Sequence, residues 1–160
     1  MTVVALLAIL VAVAAPGMAQ FMAARRVQDA ARRIGEDLAF ARNEALKRNA
    51  PVLLCAGISG ACASAPAAAD WAGGWRVCYD LDADGACDAT DANDPNPMRT
   101  LSAVPAGVTL TGPTSRLSFS ASGALGSASF SPFTVASSGA AVTNWLVRIA
   151  ASGAISVRKG

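Results

Sequence analysis

The first 24 residues, Met1 to Ala24, carry no charge, and a strongly helical pattern follows them without a break. No other feature of the chain narrows its fold so much. Met1 to Ala15 is one apolar run, MTVVALLAILVAVAA, closed by Pro16 and Gly17. A run of 15 is short for a helix that crosses a bilayer, which needs roughly 20 residues. The whole uncharged stretch of 24 is long enough, with a kink expected at Pro16. Three readings compete for it. A cleaved secretory signal calls for a basic leading region, which is missing. A buried core helix fits by length, yet the run shows no polar face. A membrane segment running on into an exposed helix fits best. Arg25 and Arg26 do not set its orientation, because no charged segment precedes the run.

From Met18 to Asn49 the periodicity is helical. Val27, Ala31, Ile34, Leu38, Ala41 and Ala45 recur at alternating steps of four and three, which places them in one seam on a helix surface. Arg25, Arg32, Arg33, Glu36, Arg42, Lys47 and Arg48 occupy the other faces. Gly35 is the single weak helix former in the stretch. Asn49-Ala50-Pro51 ends the helix, since the residue before proline resists helical geometry. Over 31–48 the seam reads as packing against the chain's own sheet. Joined to the apolar run, it makes a helix of some 45 residues, more than one small domain can cover. Val27, Ile34 and Leu38, with the run before Pro16, are therefore expected to serve assembly with other subunits.

After Pro51 the pattern turns to short strands. Candidates are 52–55, 75–81, 98–101, 108–110, 116–120, 128–135, 144–150 and 154–158, separated by glycine and proline turns. Residues 56–70 read as a small-residue loop and 82–97 as an acidic one. One long helix ahead of many short strands indicates an α+β fold with an antiparallel sheet. The expected division is an apolar membrane and assembly helix over 1–24 and a head over 25–160. Within the head, 25–49 is amphipathic helix and 50–160 is β-rich. Phe119, Phe130, Phe133 and Trp145 supply anchors that a disordered Ser/Gly-rich tail would lack. Trp71 and Trp75 read as core packing before they read as a ligand-facing pair.

The chain contains no histidine, which excludes Ser-His-Asp and Cys-His catalysis and histidine metal ligation. Four cysteines stand as two close pairs, Cys55 with Cys62 and Cys78 with Cys87. Their spacings are too wide for a zinc knuckle, and an even count behind an apolar N-terminus suggests disulfides in an oxidising compartment. Of three possible connectivities the local one is adopted as the expectation; each such bridge contributes on the order of 2–3 kcal/mol.

Two charged segments are candidate sites. Asp80, Asp82, Asp84, Asp88 and Asp91, with Gly85 at the sixth position, follow the calcium-loop spacing, where converging carboxylates repel unless a hard cation neutralises them. An aspartate at position 12 and the lack of flanking helices depart from that pattern, and an acidic hairpin turn is the plain alternative. Beyond Asp94 the chain holds five basic residues and no acid. Arg148, Arg158 and Lys159 form the basic end.

The segment RVQDAARRIGEDLAFARNEALKRNAPVLLC, followed by DWAGGWRVCYDLDADG, resembles the GspH/FimT family of type II secretion pseudopilins and type IV minor pilins. The resemblance lies in the apolar helix ending in AAP, ARNEALKRN before Pro51, Trp71-x-x-Gly74-Trp75, and a strand leading into an aspartate loop. It implies a pilin-like fold and a non-enzymatic subunit that is held in the bacterial inner membrane, with its head in the periplasm. From there the subunit would join a filament through an assembly platform and other pilin-type subunits. An alanine-rich apolar helix suits both states, because lipid and neighbouring helices can each bury it. Paired cysteines lean toward the type IV pilus branch. That branch associates a basic C-terminal motif with DNA binding during uptake. Here Gly153 to Lys159 lacks its first arginine, so weak, salt-sensitive binding is the most to be expected, and a solvated strand end is preferred. Family members also carry a basic leader ending in glycine and a glutamate at the fifth mature position. Neither stands ahead of Thr2, so the expectation is either an upstream start or a lost processing site. The alternative function is an envelope-anchored or secreted binding module that uses the calcium-like loop.

Overall fold

In the computed structural model the described residues are 2–59, 62, 68–90, 93–126 and 132–160, with the backbone alone over 2–16. Among the described residues one helix, α1 (Thr2–Arg48), is followed by nine strands. These are β1 (Val52–Ala56), β2 (Ala69–Asp70), β3 (Gly74–Tyr79), β4 (Arg99–Ser102), β5 (Val108–Gly112), β6 (Arg116–Phe119), β7 (Phe133–Ser137), β8 (Trp145–Ile149) and β9 (Ile155–Lys159). Pro16 lies within α1. The helix ends where the sequence places its end, through a C-cap that the proline rule alone does not specify. Asn49 adopts the left-handed conformation (φ 50°), and the Ala50 amide donates back to the Ala45 carbonyl at 3.3 Å, the long bond of a Schellman motif.

The strands form two antiparallel sheets where the sequence suggests one. Their orders are β4-β3-β1-β6 and β2-β5-β7-β8-β9. β2 lies inside the expected 56–70 loop and pairs with the end of β5 (Asp70 with Thr111). At two residues it is too short to leave a periodic signal. Of the expected 128–135 strand, 128–131 lie outside the described residues, and β7 begins at Phe133.

The helix lies across the inner faces of both sheets. All six seam residues (Val27, Ala31, Ile34, Leu38, Ala41 and Ala45) are fully buried, joined by Ala30. Around them pack Val52, Leu54, Trp75 and Val77 from the first sheet and Leu110, Phe133, Val135 and Val147 from the second. Gly35, weak as a helix former, has a packing reason: a Cβ there would stand 2.7 Å from Cγ2 of Val157. The glycine lets β9 approach the helix. Trp71 and Trp75 are both core residues with satisfied indoles. Trp71 donates to the Thr114 carbonyl (2.8 Å) and meets Phe133 edge-on. Trp75 donates to the buried Asp37 carboxylate (2.9 Å), which also pairs with Arg99 (3.1 Å). A buried acid on the helix thus has a donor and a counter-charge, as burial of a carboxylate demands.

The sheets differ on their outer faces. β5 alternates between buried and exposed, as a sheet with one wet face should. Every residue of β3 is buried, so both faces of the first sheet are covered. Its outer cover is a small second core of Leu53, Cys55, Cys62, Cys78 and Cys87.

Candidate functional site

The outer cover of the first sheet is built from two disulfide-closed loops. Cys55 bonds Cys62 and Cys78 bonds Cys87. In the register Leu53 faces Cys78 and Cys55 faces Arg76, so both bridges rise from the same face of the sheet. The sulfurs of Cys55, Cys62 and Cys87 lie within 4.8 Å of one another. All three are disulfide sulfurs, so they offer no thiolate to a metal. Two arginines staple the loops down. Arg76 donates to the carbonyls of Gly57 and Ser59, each at 3.0 Å. Arg116 reaches from β6 to the carbonyls of Cys62 and Gly85, one on each loop.

The acidic segment hangs from the end of β3. Asp80 is buried, and its carboxylate accepts from the amides of Asp84 (3.0 Å) and Gly85 (2.9 Å). Burial pushes its pKa up, while the Gly85 amide acts against that rise. Asp88 accepts from the Leu81 amide at 2.7 Å. The structure brings Asp80, Asp82 and Asp88 within 4.8 Å of one another. Asp84 stands outside that group and caps the Ala86 amide (2.7 Å). Asp91 lies outside the described residues. Most of the carboxylates met here serve backbone amides, which is turn chemistry.

The end of the acidic segment is fastened to the end of the helix. Arg48 forms a two-pronged ion pair with Asp94 and donates to the Glu44 carboxylate as well (3.1 Å), with its guanidinium 4.7 Å above the Tyr79 ring. The Arg48 hydrogen bond holds the Asp94 carboxyl below its usual range, and the same contact raises the arginine. Asn96 bridges Tyr79 and Asp88 with its side chain. Neither tie has a spacing that the sequence would reveal.

The basic end is divided. Arg148 stands opposite Ser156, and Leu146 opposite Arg158, so both arginines lie on the outer face of the β8–β9 hairpin. They border a shallow concavity of about 370 Å³ with Ile149 and Ile155. Lys159 falls on the other face, paired with Trp145, and borders the helix at Phe21 and Arg25.

The helix residues expected to serve assembly are corrected by burial. Val27, Ile34 and Leu38 are each 0% exposed within the chain's own core, so a neighbouring subunit cannot reach them. Met18, Phe21 and Met22 are exposed instead, at 64%, 54% and 47%. The sequence pattern passes over these three because they lie beyond the part of the helix that the sheets cover. Among the described residues no helix is long and apolar enough to cross a membrane. The apolar run itself lies where side chains are not described, so the membrane expectation stays outside what the structure addresses.

Comparison with curated protein sequences finds no match. Among solved structures, the chain is similar to the type IV minor pilin FimU of Pseudomonas aeruginosa strain PAO1. In one crystal form the TM-score is 0.64 at 21% identity, over 84% of this chain and 89% of that one. A second crystal form gives 0.59 at the same identity, over 82% and 91%. At this identity the likeness establishes the fold. The profile of the family described as type II transport protein GspH matches residues 30–153. With most of the chain inside that match, and a pilin-like helix lying on antiparallel sheets, this protein belongs to the GspH family of type II transport proteins.

Proposed function

We propose that the chain is a non-enzymatic minor pilin or pseudopilin of a type IV pilus or type II secretion system. Residues 1–24 hold it in the bacterial inner membrane as a single pass, with the head in the periplasm. It then leaves the membrane to pack among pilin-type subunits on the assembly platform. The observation that carries this reading is the change in exposure along α1. From Gly17 to Arg26 nearly every described side chain is exposed, Met18, Phe21 and Met22 included, and burial begins at Val27. An alanine-rich helix with bare apolar side chains gains by transfer either to lipid or to a neighbouring helix.

Site-specific crosslinking tests it. All four native cysteines are bridged, so a cysteine introduced by Phe21→Cys is the single free thiol. In the producing cell it is expected to link to partners that mass spectrometry identifies as bearing pilin-type helices. A product that stays monomeric and leaves the membrane fraction at alkaline pH would overturn the reading.

The clustering of Asp80, Asp82 and Asp88 favours a second, subordinate reading, in which the acidic loop takes up calcium. Calorimetric titration of calcium into the full chain decides it, and absence of heat at millimolar concentration removes it. DNA binding at the C-terminal end rests on Arg148 and Arg158 alone, since Lys159 faces elsewhere. Two phosphate contacts predict weak, sequence-independent binding that salt abolishes, and a gel shift at low salt is its test.

A further inference from the structure

The head is electrically polarised along its helix. At the C-terminal end of α1, Arg48 holds Asp94, and the acidic segment with Asp80, Asp82, Asp84 and Asp88 gathers there. The opposite end, where α1 emerges from the head, is basic. Lys159, in the rung it shares with Trp145, borders a cleft of about 250 Å³ against Phe21 and Arg25. On the other side of the helix Arg26 borders the turn at Gly107 and the 137–140 turn, which are built of small uncharged residues. No acid follows Asp94 in the chain, so β4 to β9 contribute none to this end, and Asp29, one turn along the helix, is its nearest acid by sequence. Arg26 and Arg48 are 22 residues apart on one helix, roughly 33 Å at 1.5 Å per residue. Immediately ahead of the basic end stand the exposed Met18, Phe21 and Met22, with the Arg25 guanidinium 5.1 Å above the Phe21 ring.

We propose that this end of the head is a lipid-contact collar for an anionic membrane surface. Arg25, Arg26 and Lys159 lie on phosphate headgroups, and Phe21 and Trp145 sit at the boundary between headgroups and acyl chains. The proposal rests on the membrane reading of residues 1–24 and adds a partner to it. Two physical arguments select anionic lipid. Basic residues close to such a surface are each attracted to it, and the acidic end is held away from it by the length of the helix. Amphipathic aromatic rings are favoured at the same depth, and Trp145, half-buried beside Lys159, is placed to reach it. Seating the collar on the headgroups sets the angle at which the head stands on its anchor.

The test uses the full chain reconstituted in vesicles of phosphatidylcholine, with and without phosphatidylglycerol. Trp71 and Trp75 are fully buried, so quenching by lipid carrying a spin label near the headgroup reports Trp145, and Trp145→Phe assigns the signal. Quenching is expected to be about twofold or more stronger in the anionic vesicles. It should return to the neutral-lipid value in about 0.5 M salt, and in Arg25→Glu and Lys159→Glu, two exposed positions outside the core. Equal quenching in both lipids, with the chain resisting alkaline extraction, would overturn the collar while leaving the anchor; the basic end would then face an acidic protein neighbour. A chain that fails to float with either vesicle after alkaline extraction would overturn the anchor and the collar together.

Discussion

Two stretches of one helix carry apolar side chains and meet opposite fates. Between Val27 and Ala45 the seam is sealed between two sheets. Between Met18 and Met22 the large side chains stand open. The residue types do not account for the difference, since methionine and phenylalanine are as ready to be buried as isoleucine and leucine. Position does. The sheets bury the helix only from Val27 onward, and although the β8–β9 hairpin reaches the helix beside Phe21 and Arg25, it leaves Met18, Phe21 and Met22 exposed. Apolar periodicity therefore states that a face will be buried without stating by whom. Val27, Ile34 and Leu38 show the consequence: the same pattern suits assembly with a neighbour and packing within the chain, and packing claims it here.

The comparison breaks first, if it breaks, at the sealed stretch. Leu38→Ala leaves a cavity between helix and sheets and is expected to cost about 3 kcal/mol. Denaturant unfolding of the detergent-solubilised full chain, followed by tryptophan fluorescence, measures it. A loss under about 1 kcal/mol would mean that the seam is loosely sealed. Gly35→Ala sharpens the same point through its sign. Helix propensity alone predicts a gain of about 1 kcal/mol, whereas the added methyl meets Val157. Overpacking of that kind costs about 1–3 kcal/mol, so a net loss of about 1 kcal/mol is expected. A stabilised variant would show that β9 is free to move away.

At the far end of the helix the test is one of pH. Arg48 depresses the Asp94 pKa, so this pair supports the fold above the ordinary carboxyl pKa of about 4. Its support is lost as the pH falls through that value toward the lower folded one. Asp80 works in the other direction, because burial raises its pKa and its penalty is relieved as the pH falls. Comparing Asp94→Asn with the unaltered chain isolates the first effect. The variant is expected to be less stable near neutrality and to lose less on acidification. Parallel curves would detach the acidic segment from the helix.

The smallest effect on stability belongs to the open stretch. Phe21→Ser is expected to change unfolding by less than about 0.5 kcal/mol, while weakening association with pilin-type partners or with vesicles. A large loss of stability would mean that Phe21 belongs to the core, and the contrast between the two stretches would disappear.

Much of the architecture is legible in the residues. The six-residue seam, the end of the helix before Pro51 and most strand positions follow from periodicity and turn chemistry, which are local. The local features of the candidate sites are legible too: the aspartate spacing, the close cysteine pairs and the run of basic residues after Asp94. Their arrangement is not. Arg148 and Arg158 share a face that excludes Lys159 because strand alternation and hairpin register separate them. Asp84 turns to the Ala86 amide, away from the other aspartates. The hold of Arg48 on Asp94 spans 46 residues and has no local signature.

By itself the sequence determined a long helix leading a β-rich, cysteine-bridged head without histidine chemistry, since each of these depends on residue type and short-range spacing. Only the tertiary structure decided that the strands form two sheets, that the Trp71 and Trp75 indoles find Thr114 and Asp37 as partners, and that the described helix side chains Met18, Phe21 and Met22 are left exposed. Those outcomes depend on which surfaces meet across long separations of chain, and contact between distant residues is settled by packing the whole molecule at once.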